Sequence, residues 1–481
     1  MKYSKNNVKS AFVWSAINSI GNKAISLLLM VALAKLLGPS EYGLIAMLTV
    51  FIAVANVFID SGLNSALIRK LNRNEKDYST VFIFSLAVAV FLYILLYLSS
   101  PLIASFYDQI ELISLTRVIS LTIIINVFAT IPRTILCIKL DFKKQAKSNL
   151  IGLVISGFFA LILANKGFGA WALVSQQLIL VTVNVVLLNI FSPWRPTEKF
   201  CRYSFEELFG FSYKLLLSGL IDTIYDNSYA LIIGKSYNAT QLGVFNQAKM
   251  LSMLPATTII GVIQQVTYPI FSAENSDKNS FHSIYMKTLK LTIMIVTPVM
   301  FGLCIVAQPL VNLALGPEWK DVAPLISILT IAYVFYPISA INLNLIKVLG
   351  RSDIFLKLEI IKKINITIML LITVPMGIAE ISIGIVITSF LAMLLNTYYT
   401  SQYSSVTQLE QLMAAIPILL ITLCSSMIGF ISGKHIESDI FSIIVTLTVA
   451  LLVYISLMIL IQKKLITEMI ILVRENNDCV K

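Results

Sequence analysis

The chain has 481 residues, of which 57% are hydrophobic and 13% charged, with a formal net charge of +11. Soluble domains carry about 25% charged residues, so this composition excludes an ordinary soluble enzyme. The basic residues are dispersed among apolar stretches rather than gathered on one segment, which excludes a nucleic-acid-binding protein.

Fourteen apolar stretches follow in chain order, over 11–36, 43–68, 79–99, 112–137, 148–164, 170–191, 211–233, 246–270, 286–308, 324–349, 355–375, 381–402, 413–431 and 440–461. A hydrocarbon core about 30 Å thick needs about 20 apolar residues in a helix. The runs are continuously apolar, whereas a barrel strand alternates and is about half as long. The first stretch is too long for a signal peptide and lacks a small-residue cleavage site, so it reads as a retained helix. The fold class expected is all-α: a polytopic membrane protein of about 14 transmembrane helices.

With the N-terminus placed inside, Lys and Arg are concentrated in the inner connections and sparse in the outer ones. This is the positive-inside bias, and it puts both termini in the cytoplasm. The clusters Arg69, Lys70, Arg73, Lys76 and Lys139, Lys143, Lys144, Lys147 act as orientation anchors beside anionic membrane lipid. Cys137, Cys201, Cys304, Cys424 and Cys479 all fall in spans or on the inner side, so no disulfide framework is implied.

Ser192-Pro193-Trp194-Arg195-Pro196 breaks any helix and separates two halves. Lys35, Gly38 and Gly43 at the junction of spans one and two match Lys235, Asn238 and Gly243 at the junction of spans seven and eight, an offset of 200. Gly38 and Asn238 are expected to take the left-handed conformation that ends a helix. With six spans in each half, the repeat is parallel about an axis along the membrane normal. The expected division is an N-lobe over 1–200, a C-lobe over 201–406, and an appended helix pair with a cytoplasmic tail over 407–481.

Gly167-Phe168-Gly169-Ala170-Trp171-Ala172 imitates a dinucleotide fingerprint, but it joins two apolar spans with no strand before it. Gly234-Lys235-Ser236 imitates the end of a phosphate loop, but the required first glycine is Tyr229. His282 and His435 have no second metal ligand nearby in sequence. No metal site, cofactor or catalytic residue is therefore called for.

The informative chemistry is polar residues at helical spacing within spans. Span one carries Asn18, Asn22 and Lys23; span two Asn56, Asp60 and Asn64; span four Asn126, Thr130 and Arg133. Span seven carries Lys214, Asp222 and Asp226; span eight Asn246 and Lys249, and later Gln264 and Gln265. A mid-membrane charge costs at least about 2.5–3.5 kcal/mol on insertion scales, so these stripes are expected to face a hydrated central cavity. Lys23, Arg133 and Lys249, with Asn18, Asn22 and Asn64, are the candidates to hold an anionic substrate. Asp60, Asp222 and Asp226 are the candidates to balance that charge or bind a coupling ion. Interhelical ion pairs that only hold the bundle remain the structural alternative.

The run Ala34-Lys35-Leu36-Leu37-Gly38-Pro39-Ser40-Glu41-Tyr42-Gly43-Leu44 resembles bacterial polysaccharide exporters of the Wzx type. These are lipid-linked oligosaccharide flippases of the multidrug/oligosaccharidyl-lipid/polysaccharide superfamily, and the colanic-acid-exporter-like branch is the most similar. Asp60-Ser61-Gly62-Leu63-Asn64, Pro101-Leu102-Ile103-Ala104-Ser105-Phe106-Tyr107, Gly243-Val244-Phe245-Asn246-Gln247-Ala248 and Leu315-Gly316-Pro317-Glu318-Trp319 extend it over about 10–330. The resemblance implies a two-lobed, V-shaped bundle that works by alternating access. It implies a lipid-linked oligosaccharide, carried on undecaprenyl pyrophosphate, as cargo for O-antigen, capsule or exopolysaccharide. In that family basic cavity residues hold the pyrophosphate, and Lys23 best fits that role. A monomer in the cell (inner) membrane, working beside a polysaccharide polymerase and other assembly proteins, is the expected setting. A drug/cation antiporter of the same superfamily, a membrane polymerase or ligase, and a non-transporting assembly component stay open as alternatives.

Overall fold

A computed structural model describes residues 5–60, 62–273 and 278–463. Among these there is no strand. Cys479 and the tail beyond 463 lie outside the described residues. The chain divides into two compact units, Met1–Asn246 and Gln247–Lys481.

The first unit contains α1 (Lys5–Ala34), α2 (Pro39–Asp60), α3 (Leu63–Arg69), α4 (Glu75–Tyr107), α5 (Leu112–Ile119), α6 (Leu121–Ile138), α7 (Phe142–Asn165), α8 (Ala170–Phe191) and α9 (Arg202–Ser236). Helix α10 (Ala239–Ala273) begins in it and continues into the second unit. That unit goes on with α11 (Lys278–Ile305), α12 (Ala307–Ala314), α13 (Val322–Val334), α14 (Tyr336–Val348), α15 (Ser352–Thr373), α16 (Ile378–Tyr403), α17 (Gln408–Gly433) and α18 (Asp439–Ile461).

Among the described residues, eleven helical stretches are long and apolar enough to cross a membrane. Predicted spans seven, eight and eleven fall instead on α9, α10 and α15, which have 35, 35 and 22 residues. Length is sufficient in all three. Besides span two, which divides between α2 and α3, two spans read as continuous are broken. Span four divides at Ser120 into α5 and α6, and span ten divides at Phe335 into α13 and α14. The second break precedes Pro337, whose ring removes one backbone donor where a new helix tolerates the loss.

Apolar side chains cover the outside as well as the core. On α18, Leu451, Leu452, Ile455, Ile459 and Leu460 are all exposed. A soluble monomer rarely exposes such a continuous apolar face; hydrocarbon is the solvent that suits it. Helix α18 packs on α17 through small residues. A Cβ at Gly429 would press on Ala450 and the Thr446 carbonyl, and one at Gly433 would overlap the Thr446 hydroxyl. Close backbone approach of this kind is how helices associate in lipid.

The breaker segment after α8 is pinned to the start of α4. Trp194 Nε1 donates to Glu75 Oε2 at 3.0 Å, and the Cys201 amide donates to Thr80 Oγ1 at 3.0 Å. Helix α4 opens with a full capping box between Asn74 and Asp77. Helix α9 then packs against α2, α3 and α4 within the first unit.

Gly38 and Asn238 do not take the expected left-handed conformation. Asn238 works instead as a helix-opening residue, its Oδ1 accepting from the Gln241 amide at 2.8 Å. Gly167 and Gly169 do have positive φ, +80° and +53°, and turn the chain from α7 into α8. The false dinucleotide motif is thus a helix–helix turn.

Candidate functional site

The polar stripe read on span two is not one helix face, because α2 stops at Asp60 and α3 starts at Leu63. Gly62 between them has φ +69°, a conformation that costs a residue with a side chain roughly 1–2 kcal/mol. A Cβ there would also press on Leu215 and the Ser212 carbonyl of α9. The break frees backbone groups that lipid cannot satisfy. Ser85 of α4 meets one of them, donating from Oγ to the Ile59 carbonyl at 3.2 Å.

A connected polar group forms at this break. Asn64 Nδ2 donates to Asp60 Oδ1 at 3.2 Å. Thr134 Oγ1 of α6 lies 3.3 Å from Asn64 Oδ1 and 2.9 Å from the Thr130 carbonyl. Asp60 and Arg133, also on α6, act electrostatically on one another. Both of these charged residues are exposed, Asn64 is half-buried and Thr134 is buried. The structure therefore brings together Asp60, Asn64 and Arg133 from the predicted set. It adds Thr134, which one helical turn beyond Thr130 was the only signal to find.

Asn18 and Asn22 form a second group with a partner that sequence reasoning missed. Asn22 Nδ2 donates to Asn18 Oδ1 at 2.8 Å, and Asn149 Nδ2 of α7 donates to the same oxygen at 3.3 Å. Asn22 Oδ1 is buried without a hydrogen-bond partner. Lys23 follows on α1 and is half-buried. Asp222 and Asp226 are exposed on α9, and Lys249 is half-buried on α10 in the second unit. Among the described residues, no cluster of three or more His, Cys, Asp or Glu side chains is placed to hold a metal.

At one end of the same unit, Lys70 Nζ lies 2.9 Å from Asp77 Oδ1 and 2.9 Å from Glu207 Oε2. Asp77 is fully buried. Arg69 beside it stacks on Phe211, its guanidinium carbon 4.4 Å from the ring centre. The residues read from sequence as an orientation anchor thus also join α3, α4 and α9.

Residues 32–324, more than half of the chain, match the family described as "Polysaccharide biosynthesis protein". The teichuronic acid biosynthesis protein TuaB of Bacillus subtilis (strain 168) is 23% identical over 349 residues, 72% of each chain. The succinoglycan biosynthesis transport protein ExoT of Rhizobium meliloti (strain 1021) is 23% identical over 319 residues, 66% of this chain and 65% of that protein. In fold, the chain is similar to a solved structure of lipid II flippase MurJ in an inward closed conformation. That match has a TM-score of 0.78 at 16% identity and covers 95% of this chain and all of that one. Apolar helices, lipid-suited surface and family match agree: the chain is a multi-pass membrane protein that belongs to the polysaccharide biosynthesis protein family.

Proposed function

We propose that this protein moves undecaprenyl-pyrophosphate-linked oligosaccharide repeat units across the cell membrane by alternating access, for assembly of a surface polysaccharide. The observation that carries the reading is the Asp60–Asn64–Thr134–Arg133 group. It brings opposite charges and hydrogen-bonding side chains together on helices whose other faces suit lipid. A sugar headgroup cannot cross hydrocarbon without replacing the hydrogen bonds its hydroxyls make to water. Amides and hydroxyls on membrane-crossing helices supply those partners, while the polyprenyl tail stays in lipid. The family membership, and the printed names of a transport protein and a flippase among the similar proteins, support the same class of cargo.

In this reading Lys23, Arg133 and Lys249 hold the pyrophosphate, and Asn18, Asn22 and Asn64 contact the sugar. Asp60, Asp222 and Asp226 balance the cationic charge or carry a coupling proton or sodium ion. The protein acts as a monomer in the inner membrane with both termini cytoplasmic, beside a polymerase and other assembly proteins. The lobes are 1–200 and 201–406, with 407–481 as an added pair.

Reconstitution tests the proposal. Purified protein in vesicles is expected to move fluorescent lipid-linked oligosaccharide between leaflets without forming a glycosidic bond. Movement of a small organic cation but not of the lipid-linked sugar would assign the protein to drug export. A lengthened glycan would assign it to polymerisation.

A further inference from the structure

The second unit holds a cavity of its own, of about 380 Å³, with largely apolar walls into which Gln264, Tyr336, Asn344, Lys347, Lys362 and Asn396 bring polar groups. That is the lower end of the range for small-ligand sites, about 300–1,000 Å³. It is also room for about a dozen waters at roughly 30 Å³ each. The lining belongs to α10, α13, α14, α15 and α16 and includes two lysines and no carboxylate.

Asn396 makes the cavity unusual. It is fully buried, and neither its Nδ2 nor its Oδ1 has a hydrogen-bond partner. Buried amides are nearly always satisfied, so a donor and an acceptor are held ready for something that enters. The neighbouring amides are half used. Gln264 Nε2 donates to the Ala340 carbonyl at 3.2 Å, and Asn344 Nδ2 donates to Thr267 Oγ1 at 3.4 Å. The acceptor oxygen of each remains to face a hydroxyl.

The lysines add sign. Lys362 is paired with Glu359 at 2.7 Å on its own helix. Lys347 is exposed and lies 4.9 Å from the centre of the Phe355 ring. The charge of Lys362 is therefore partly offset, and Lys347 supplies the cation that selects the guest. Paired amide donors and acceptors, aromatic walls and an ammonium match a sugar that bears a carboxylate.

We propose that this cavity binds a single acidic sugar residue, its hydroxyls on Asn396, Gln264 and Asn344 and its carboxylate on Lys347. The proposal rests on the oligosaccharide-transport reading and adds a site within the second unit that recognises the glycan rather than its lipid phosphate.

The test is binding of methyl glucuronide against methyl glucoside to the purified full chain in nanodiscs. The expected result is at least a tenfold preference for the glucuronide. Lys347→Gln is expected to abolish the preference, and Lys347→Arg to restore most of it. Asn396→Leu, close in volume, is expected to weaken both sugars about tenfold while the protein stays folded by size-exclusion profile. Arg202→Gln, on the surface of the first unit, is expected to leave both affinities unchanged. Equal binding of the two sugars, or a preference that survives Lys347→Gln, overturns the inference. So does binding unchanged by Asn396→Leu in a folded variant. Glucuronide selectivity that obeys these variants, in a protein that moves no lipid-linked sugar, supports the cavity and overturns the transport reading instead.

Discussion

Gly43 lies with its α-carbon against the Ala239 carbonyl, so close that a Cβ would overlap the backbone. The reverse holds as well: a Cβ at Gly243 would overlap the Pro39 carbonyl. Positions 39 and 43 are related to 239 and 243 by the same offset of 200 that relates the two sequence motifs. The starts of α2 and α10 therefore cross as a reciprocal pair within the first unit, main chain on main chain.

Gly43→Ala and Gly243→Ala are expected to force this crossing apart and to destabilise the protein by about 1–3 kcal/mol each, the usual cost of overpacking. Gly261→Ala, where nothing lies within 4 Å, is expected to be neutral or to stabilise by about 0.4–1 kcal/mol. Thermal unfolding in detergent, followed by tryptophan fluorescence, checks the contrast. Equal melting temperatures in all three variants would remove the crossing as a structural constraint.

Gly62→Ala combines a positive φ with crowding by Leu215. It is expected to cost about 1–2 kcal/mol for the backbone alone. It also moves Asp60 relative to Asn64. Export is expected to fall more than protein abundance does, measured as surface polysaccharide per unit of membrane protein. A parallel fall in both would make Gly62 a folding residue only.

Lys23→Ala is expected to abolish export while membrane insertion persists, and normal surface polysaccharide in that strain would remove Lys23 as a substrate residue. Asp60→Asn and Arg133→Gln are expected to be non-additive, because each relieves the charge that the other leaves behind. A double-mutant cycle on transport rate reads the coupling; strict additivity would show that the two charges work independently.

Lys70→Met leaves the fully buried Asp77 carboxylate without its cation. Removing one partner of a buried pair costs about 3–5 kcal/mol, and the half-open Glu207 contact adds little to that. Lys70→Met with Asp77→Leu is expected to recover part of the loss. Abundance and thermal stability of the single and double variants decide it.

The Cys201 thiol is held below its usual range by hydrogen bonds from the Ser204 backbone and hydroxyl. The thiolate is the reactive form. Its maleimide labelling is therefore expected to rise to half-maximum at a pH below the free-cysteine value of about 8.5. Ser204→Ala is expected to shift that half-point upward. Labelling by an impermeant reagent from the cytoplasmic face only would also fix the orientation; labelling from the outside would reverse the proposed topology.

Helical class and most membrane crossings were legible because long apolar runs admit no other structure. The Asp60–Asn64 spacing was legible as well, but the break between them was visible only as a Ser61-Gly62 pair in an otherwise helical run. Its consequence depends on α9 pressing on Gly62, which spacing does not encode. Lys347 and Lys362 fall inside predicted spans ten and eleven, where spacing gives neither a role. Only the packing of α14, α15 and α16 shows them lining a cavity. Asn149 was unreadable for the same reason: its partner Asn18 is 131 positions away.

The double contact of Lys70 has unequal arms. One reaches a carboxylate sealed from water, the other a carboxylate that is half open. Salt or a passing counter-ion can weaken only the second. Ionic strength thus bears on the arm to α9 and leaves the arm between α3 and α4 untouched.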